Sequence, residues 1–416
     1  MKLARRGNKA LIRTMNRNLV LNLIHTSGPL SRTEIARRSG LSNATVSEIS
    51  NELVMAGLVE EVGEGESTGG RRPSLLRLNA QAGYVVGIKV MEQTITCALA
   101  DLNAKVIAHY SYPVGSEHSP EAIQALLIKT ITEAIHNAQI STDRVLGIGI
   151  GLAGLIDARQ RIICYSPYFD WHNVNLADRL IAHFNLPVYL ENDVNTLTVA
   201  EQWFGHGRGI ENFVVVTVGR GIGSGIVMNG QFCREAAGEI GHLTMILNGP
   251  PCPCGKRGCL EAISADPAVL RTVHERLTDG HHSTLGQNGA NHERTLEDVV
   301  DAANNGDTLA CEILENSGYF LGIGIANLVN LLSPQLVIVS GEGMKAGKHR
   351  SDAMRRAISE HVFNGLGDHL KIIEEQIGDE TWARGAASLV LGEIFKSPVY
   401  GESKVIDRLL AASGAL

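Results

Sequence analysis

The sequence lacks any apolar run long enough to cross a bilayer. Its longest apolar stretches, such as NFVVVTVG, have the length of buried strands, whereas a membrane-spanning helix needs roughly 20 apolar residues. The basic segment MKLARRGNKALIRTMN opens the chain, and neither an apolar core nor a small-residue cleavage site, as is typical of a secretory leader, follows it. We therefore expect a cytoplasmic protein that does not insert into membranes.

Aromatic residues are scarce, at 5% of the chain, and only seven cysteines occur. Four cysteines are far apart, whereas Cys252, Cys254 and Cys259 lie together in CPCGKRGC. Disulfide frameworks belong to oxidising compartments, so in a cytoplasmic chain a cysteine cluster is more typical of a metal site.

Positive charge is in short supply except near the N-terminus. The formal net charge is −7, yet residues 1–80 contain 12 Lys and Arg against 7 Asp and Glu, a net of +5. The rest of the chain therefore carries −12. A small basic segment joined to a large acidic one indicates that an anion binds to the first and not to the second.

Residues 18–57 have the pattern of a helix-turn-helix. Ser31 and Glu34 form a capping-box pattern at the start of a short helix over residues 32–38, which ends at Gly40. Ser42 caps the next helix, which would lie in the major groove of DNA. The apolar faces of the helices before and after the short one are predicted at Leu19, Val20, Leu23, Ile24, Val46, Ile49 and Leu53.

Residues 58–79 predict a β-hairpin wing, because two short apolar segments flank a glycine-rich tip. Arg71 and Arg72 lie in that tip beside Pro73, where they suit insertion into a minor groove. Helix, turn, helix, wing and charge together predict operator double-stranded DNA as the partner. A solvated hairpin in a protein–protein module is the alternative.

The exposed face of the helix that follows Ser42 supplies the predicted contacts to DNA bases. An Asn side chain pairs with adenine through two hydrogen bonds, and hydroxyls contact either type of base. The predicted base-contacting residues are Ser42, Asn43, Ala44 and Ser47, and those expected at phosphates are Lys9, Arg13 and Arg17.

From Tyr84 onward, strand patterns alternate with helical ones, which indicates an α/β architecture. YVVGIKV, TITCALADL and AKVIAHYSY predict consecutive strands, followed by a helix over residues 120–139. VLGIGIGLAGLID, PVYLENDVN and the long stretch FVVVTVGRGIGSGIVMNGQF predict further strands, whereas LTDGHHSTLGQNGANHERTL predicts an exposed loop.

The body resembles the ROK family of sugar kinases and sugar-responsive repressors. The motifs that carry the resemblance are GIGLAGLID, ENDVN, TVGRGIGSGIV, GEIGHL, CPCGKRGCLEAI, GIANLVNLLSPQLVIVSGE and RGAASL, spread over residues 84–392. The basic head and the GRRP of the wing resemble the repressor branch, the type that includes the Mlc, NagC and xylose repressors.

The resemblance implies an α/β body with the actin-like/hexokinase (ribonuclease H-like) ATPase fold behind an N-terminal winged helix-turn-helix. We expect the DNA-binding domain at residues 1–80 and the first ROK subdomain at residues 81–192 plus 385–416. The second subdomain, at residues 193–384, would carry the zinc site and the oligomerisation surface.

The nucleotide side of the expected cleft departs from the kinase pattern. Family kinases carry Asp-x-Gly-Gly-Thr after the first strand, whereas GIKVMEQT places Lys89 at the Asp, and Met91, Glu92 and Gln93 at Gly-Gly-Thr. These side chains replace the open backbone that wraps a phosphate, and Glu92 would repel a triphosphate. Arg220 stands where kinases have Thr, and Ser340 and Glu342 interrupt a usually glycine-rich loop. We therefore expect a protein that is not an enzyme.

The sugar side of the cleft keeps the family motifs. The resemblance implies that sugar hydroxyls contact Asn192, Asp193, Glu239, His242 and Glu261. Carboxylates accept from hydroxyls, and an amide both donates and accepts, which suits such a ligand. In a kinase Asp193 would act as general base. The effector is expected to be a sugar or a sugar phosphate.

The cysteine cluster is explained by the same resemblance. Cys252, Cys254 and Cys259 with His242 complete a Cys₃His set, which is typical of a closed structural Zn²⁺ site. Free buried thiols or a disulfide are the alternatives. Zinc on one ring nitrogen of His242 would leave the other N–H for a sugar hydroxyl.

The sequence thus predicts a sugar-responsive transcriptional repressor that acts as a homodimer or homotetramer, since half-site recognition by such heads requires a dimer. One alternative is a DNA-binding ROK sugar kinase with residual ATP-dependent activity. Another is a repressor controlled by sequestration on a sugar-transporter protein.

Overall fold

A computed structural model describes residues 9–64, 72–234, 238–286 and 294–395. The chain divides into two compact units. The first contains residues 1–196 together with 382–416, and the second contains residues 197–381.

The first unit begins with a three-helix head and a small sheet. Helices α1 (Lys9–Ser27), α2 (Arg32–Ser39) and α3 (Asn43–Met55) precede the hairpin of β2 (Val59–Glu64) and β3 (Ser74–Leu78), and β1 (Leu30–Ser31) pairs with β3. The order β1-β3-β2 completes a winged helix-turn-helix, as the sequence predicts.

Local capping explains the helix boundaries of the head. The Ser31 hydroxyl accepts from the Glu34 N–H, and the Ser42 hydroxyl accepts from the Thr45 N–H. Gly40 ends α2 at φ 71°, a left-handed conformation that glycine adopts without steric cost. The predicted reciprocal arm of the capping box is replaced, because the Glu34 carboxylate bonds Arg37 and Arg38 instead.

The head has a core from all three helices, with one error in the predicted pattern. Val46, Ile49 and Leu53 are buried as expected. On α1 the buried apolar residues are Val20, Leu21 and Ile24, whereas Leu19 is 40% exposed and Leu23 is half-buried. In a leucine-rich helix two neighbouring apolar stripes fit the same 3.6-residue period, so packing decides between them.

The rest of the first unit is built around a five-stranded mixed sheet with helices. Its order is β11-β7-β4-β5-β6, where β4, β7 and β11 are parallel and β5 and β6 antiparallel. The strands are β4 (Tyr84–Val90), β5 (Thr94–Asp101), β6 (Val106–Pro113), β7 (Val145–Leu152) and β11 (Val188–Asn192). Outside the head, the helices of this unit are α4 (Pro120–Asn137), α5 (Ala177–Phe184), the first part of α6 (Asp193–Phe204) and most of α12 (Asp379–Phe395).

The segment predicted as one long strand, VLGIGIGLAGLID, forms two strands. Strand β7 ends at Leu152, and β8 (Leu155–Asp157) starts a separate antiparallel sheet with β9 (Ile162–Ser166) and β10 (Trp171–Val174). Gly154, at φ 138°, separates β7 from β8, in a conformation that residues with a side chain rarely adopt.

The second unit repeats the strand order of the first. The order is β14-β13-β12-β15-β16, again with three parallel strands next to an antiparallel pair. Its strands are β12 (Phe213–Val218), β13 (Ile222–Met228), β14 (Gln231–Phe232), β15 (Leu336–Ser340) and β16 (Lys371–Glu374), and its complete helices are α7 (Leu260–Ser264), α8 (Asp266–Thr278), α9 (Leu296–Asn304), α10 (Thr308–Leu332) and α11 (Gly347–His361). Two sheets of this order are the architecture expected of the duplicated ribonuclease H-like fold.

Candidate functional site

The N-terminal end of α3 presents the predicted DNA-contacting residues. Ser42, Asn43 and Ala44 are exposed and Ser47 is half-buried, all on the side of α3 away from its buried stripe. Ser42 also caps α3, with its hydroxyl 3.1 Å from the Thr45 nitrogen. Asn43 therefore offers the side-chain amide at this end of the helix.

The arginines of α1 are matched by carboxylates of α3, which corrects part of the prediction. Arg13 lies 2.9 Å from Glu52 and 3.3 Å from Glu48. Arg17 is only 5% exposed and lies 3.4 Å from Glu52. The buried guanidinium of Arg17 therefore joins α1 to α3 rather than reaching a phosphate, whereas Arg13 stays 60% exposed at its side chain.

The wing has the predicted hairpin strands. Arg77 on β3 pairs with Glu60 on β2 at 2.6 Å, and the two residues are partners in the strand register. Arg72 is exposed and precedes β3. Arg71 and the side chain of Lys9 lie outside the part of the chain that the structure describes.

The second unit brings the three clustered cysteines and His242 together. The four ligand atoms all lie within 4.8 Å of one another. The Cys254 and Cys259 sulfurs are 3.7 Å apart, and the Cys252 sulfur is 3.6 Å from Nδ1 of His242. Zn–S bonds of ~2.3 Å in a tetrahedron place the ligand atoms roughly 3.8 Å apart, so the donors fit such an ion.

The local chain folds to make this cluster possible. Gly258 has φ 70°, and a side chain there would meet the Ile246 carbonyl. Cys259 lies directly before α7, and the Cys252 N–H donates to the Lys256 carbonyl at 2.9 Å. Burial raises the pKa of the Cys252 thiol to about 12. A cation among the sulfurs would offset that cost of ionisation.

The two ring nitrogens of His242 face different partners. Nδ1 faces the Cys252 sulfur, whereas Nε2 lies 3.8 Å from a carboxylate oxygen of Glu239. Glu261, at the start of α7, accepts from the Ile222 N–H at 3.1 Å. The glutamates and the histidine predicted to contact sugar thus lie close to the three clustered cysteines in the second unit.

Asn192 and Asp193 lie where β11 meets α6 in the first unit. The Asn192 amide donates to the Gly154 carbonyl at 3.0 Å and accepts from the Val194 N–H at 2.9 Å. Asp193 accepts through one oxygen from the Val194 N–H. Its other oxygen bonds the ammonium of Lys89.

Lys89 and Asp193 form a buried ion pair that sequence reasoning did not find. Lys89 is 6% exposed and Asp193 is 9% exposed. The Lys89 ammonium also lies 4.3 Å from the ring centroid of Trp382 on α12, a cation–π contact. No local pattern joins these three residues, because they come from β4, α6 and α12.

The loops of the second unit that the resemblance places on the nucleotide side carry carboxylates. A Cβ placed on Gly219 would lie 2.7 Å from the Glu342 carboxylate, so that carboxylate lies against the glycine loop that precedes β13. Arg220 in that loop is exposed, and Ser340 is buried at the end of β15. A cavity of about 320 Å³ beside this region is lined by Asp266, Thr295, Leu296, Glu297, Val300, Glu342 and Lys345. Within this lining Asp266 is paired with Arg350 at 2.8 Å, and two further carboxylates accompany one lysine.

A winged helix-turn-helix ahead of a duplicated ribonuclease H-like body defines a class of DNA-binding regulators built on a sugar-kinase fold. The chain belongs to the ROK family, which matches residues 85–393, and residues 14–61 match the MarR family. Among the described residues no helix is long and apolar enough to span a bilayer.

The curated relatives include repressors that match over most of their length. The chain is 31% identical over 388 residues to the xylose repressor of Bacillus subtilis (strain 168), covering 92% of this chain and 97% of the relative. It is 32% identical over 387 residues to the DNA-binding transcriptional dual regulator NagC of Escherichia coli (strain K12), covering 92% and 94%.

Solved structures include both a regulator and a kinase. A ROK family transcriptional regulator, described as a homolog of E. coli Mlc, superposes with a TM-score of 0.84 at 27% identity, covering 96% of this chain and all of that one. A ROK family glucokinase from Streptomyces griseus, solved with glucose and AMPPNP, gives a TM-score of 0.64 at 25% identity and covers 74% of this chain and 99% of its own.

Proposed function

We propose that this ROK protein is a sugar-responsive transcriptional repressor that binds operator DNA. The proposal rests on the combination of two features in one chain. The winged head exposes the start of α3 at Asn43. In the body, the Lys89 ammonium bonds Asp193, the residue that corresponds to the general base of the kinases. The similarity to the B. subtilis xylose repressor and to E. coli NagC over nearly their whole lengths supports it.

The effector is assigned to five polar residues. Asn192 and Asp193 of the first unit, with Glu239, His242 and Glu261 of the second, are the proposed sugar contacts. What supports the assignment is their match to the family motifs and the chemistry of the set, three carboxylates, an amide and an imidazole, which suits a ligand with many hydroxyls. The effector is a free sugar or a sugar phosphate.

Phosphoryl transfer is not part of the proposed function. A general base must take the proton of the attacking hydroxyl, and here an ammonium occupies one oxygen of Asp193. Glu342 against the glycine loop adds negative charge where a triphosphate would bind. The alternative, a DNA-binding kinase, predicts ADP release at an ordinary enzymatic rate of ~1 s⁻¹ or more when Mg-ATP and sugar are supplied.

The proposed cofactor is one structural Zn²⁺ held by His242, Cys252, Cys254 and Cys259. Four protein ligands leave no open position, so the ion would supply rigidity rather than chemistry. With Nδ1 of His242 on the metal side, Nε2–H is the group left for Glu239 or a sugar hydroxyl.

The proposed assembly is a homodimer or homotetramer in the cytoplasm, where the operator is found. Two heads related by a two-fold axis match two half-sites of a palindromic operator. Sequestration by a sugar-transporter protein is a separate hypothesis, and a pull-down of the purified chain with membranes tests it.

One titration tests the repressor proposal. Operator fragments from the gene's own upstream region are titrated with the protein, alone and with D-xylose, N-acetylglucosamine, glucose and their phosphates. We expect specific binding that one of these sugars weakens, without ADP formation when Mg-ATP is added. Binding that no sugar alters, or sugar-dependent ADP release, would overturn the proposal.

A further inference from the structure

Helix α12 contacts the Lys89–Asp193 pair at one end. Trp382 lies in its first turns, and the Lys89 ammonium faces the Trp382 ring at 4.3 Å while also bonding Asp193. Trp382 is 4% exposed. A change in the position of this ammonium therefore changes a buried contact of α12.

The middle of α12 packs directly on the sheet of the first unit. A Cβ on Gly87 of β4 would collide with the Ala383 carbonyl, and one on Gly149 of β7 would collide with the Ala386 carbonyl. No side chain separates helix and strands at these two positions. Because so close a contact resists sliding, we expect α12 to shift together with β7 and with β4, the strand that carries Lys89.

The last described residue of α12 contacts the DNA-binding head. The Phe395 ring stacks on the His25 ring of α1, with centroids 4.0 Å apart and planes 9° from parallel. The Asn22 amide of α1 donates to the Phe395 carbonyl at 3.2 Å. From Trp382 to Phe395 the helix spans roughly 20 Å at ~1.5 Å per residue.

We propose that α12 transmits effector binding from Asp193 to the head, with Lys89 and Trp382 as positioning residues at one end and Phe395 with His25 at the other. The inference rests on the proposed function, since it requires a sugar hydroxyl at Asp193. That hydroxyl donates to the carboxylate and competes with the Lys89 ammonium for it. The ammonium then shifts relative to the Trp382 ring, and α12 changes its packing against α1.

The covalent connection between head and body offers a different route. β3 ends at Leu78 and β4 begins at Tyr84, and the Asn79 N–H donates to the Leu58 carbonyl at 2.9 Å. A signal through this short segment would not require the packing of α12 on α1. Variants at Phe395 and His25 distinguish the two routes, because they leave residues 79–83 unaltered.

Operator affinity is measured with and without one sugar, the member of the titration panel that weakens operator binding by the unaltered chain. Coupling between sites in allosteric proteins typically changes affinity about 5- to 150-fold. In Phe395→Ala the sugar should change operator affinity by a factor near one. The affinity for the sugar, measured by calorimetry, and the affinity for the operator without sugar should both stay unchanged. Phe363→Ala, at a phenylalanine 73% exposed in the second unit, is the matched control and keeps the full response.

Two further variants keep the test decisive if Phe395→Ala disturbs the head. His25→Phe preserves the stacked rings and should retain the sugar response, whereas His25→Ala should lose it with operator binding intact. A full response in Phe395→Ala or His25→Ala would overturn the role of α12. If no sugar weakens operator binding by the unaltered chain, that result would instead contradict the proposed function.

Discussion

At the scale of single residues, Lys89 is a clear departure from the pattern of the family kinases. The resemblance to the family indicates that a lysine replaces a metal-serving aspartate, and the structure adds where its charge goes. The ammonium neutralises Asp193 and lies over Trp382. If the family roles apply here, one substitution would both remove a metal-serving carboxylate and engage the residue that acts as general base in the kinases.

The ion pair changes what substitution at Asp193 does. Asp193→Asn should abolish the sugar response, but it also leaves a buried ammonium unpaired. Removing one partner of a buried pair costs about 3–5 kcal/mol of unfolding free energy. Lys89→Met combined with Asp193→Asn should recover most of that free energy, because neither charge remains. Thermal unfolding of the two single variants and the double variant measures this, and additive effects would contradict the pairing.

Thiol chemistry distinguishes the clustered cysteines from an isolated one. Burial raises the pKa of the Cys97 thiol to about 12, so Cys97 stays protonated and unreactive at pH 8. Alkylation at pH 8 followed by mass spectrometry should modify Cys252, Cys254 and Cys259 much faster after a chelator is added, and Cys97 in neither case. Equal labelling with and without chelator would argue against a bound metal.

At the scale of elements, helix starts and strands followed from the sequence, and long-range pairing did not. Ser31 and Ser42 cap their helices as predicted, because a cap depends on residues three apart. The burial of Arg17 depends on Glu52, 35 positions later, which no local pattern encodes. The contacts of Lys89 with α6 and α12 are of the same kind.

The start of α3 allows its two roles to be separated. Asn43→Ala should weaken operator binding by about 1–3 kcal/mol and relax base preference at one position, with thermal stability unchanged. Ser42→Ala should instead lower stability by about 1 kcal/mol through removal of the cap. Operator titrations with single base changes, alongside thermal unfolding, check both. If Asn43→Ala weakens all sequences equally, Asn43 does not read a base.

The wing is tested by the salt dependence of binding. Replacing Arg71 and Arg72 together with Ala should reduce the slope of log affinity against log salt by roughly 0.9 for each DNA phosphate that the arginines neutralise. Arg77→Ala is the control, because Arg77 is engaged by Glu60. An unaltered slope and affinity in the double variant would show that the wing does not touch DNA.

At the scale of the whole molecule, the repeated strand order explains why recognition of the fold succeeded. Each unit has three parallel strands with an antiparallel pair at one edge, and the glycine motifs follow the ends of those strands. Motifs identify the fold because backbone turns need particular residues. They do not determine the side-chain pairs inside, which depend on packing across the sheet.

The cluster of His242, Cys252, Cys254 and Cys259 and the DNA-binding head should behave as independent parts. We expect about one zinc per chain by elemental analysis, and Cys259→Ser should lower zinc content and abolish sugar binding while the head stays folded. The physical reason is that the head lies in the first unit, whereas all four residues of the cluster lie in the second. Calorimetric titration and circular dichroism check this. A zinc-free variant that still binds sugar normally would reduce the ion to a local support.

The Lys89–Asp193 pair has a consequence for how this chain could evolve toward the kinase sequence. Restoring aspartate at position 89 alone would bring two carboxylates together in a buried place. It would not restore phosphate binding, because Met91, Glu92 and Gln93 would still occupy the turn. A single substitution at position 89 therefore does not rebuild the phosphate loop of the family kinases, and a return to their sequence would need several positions to change together.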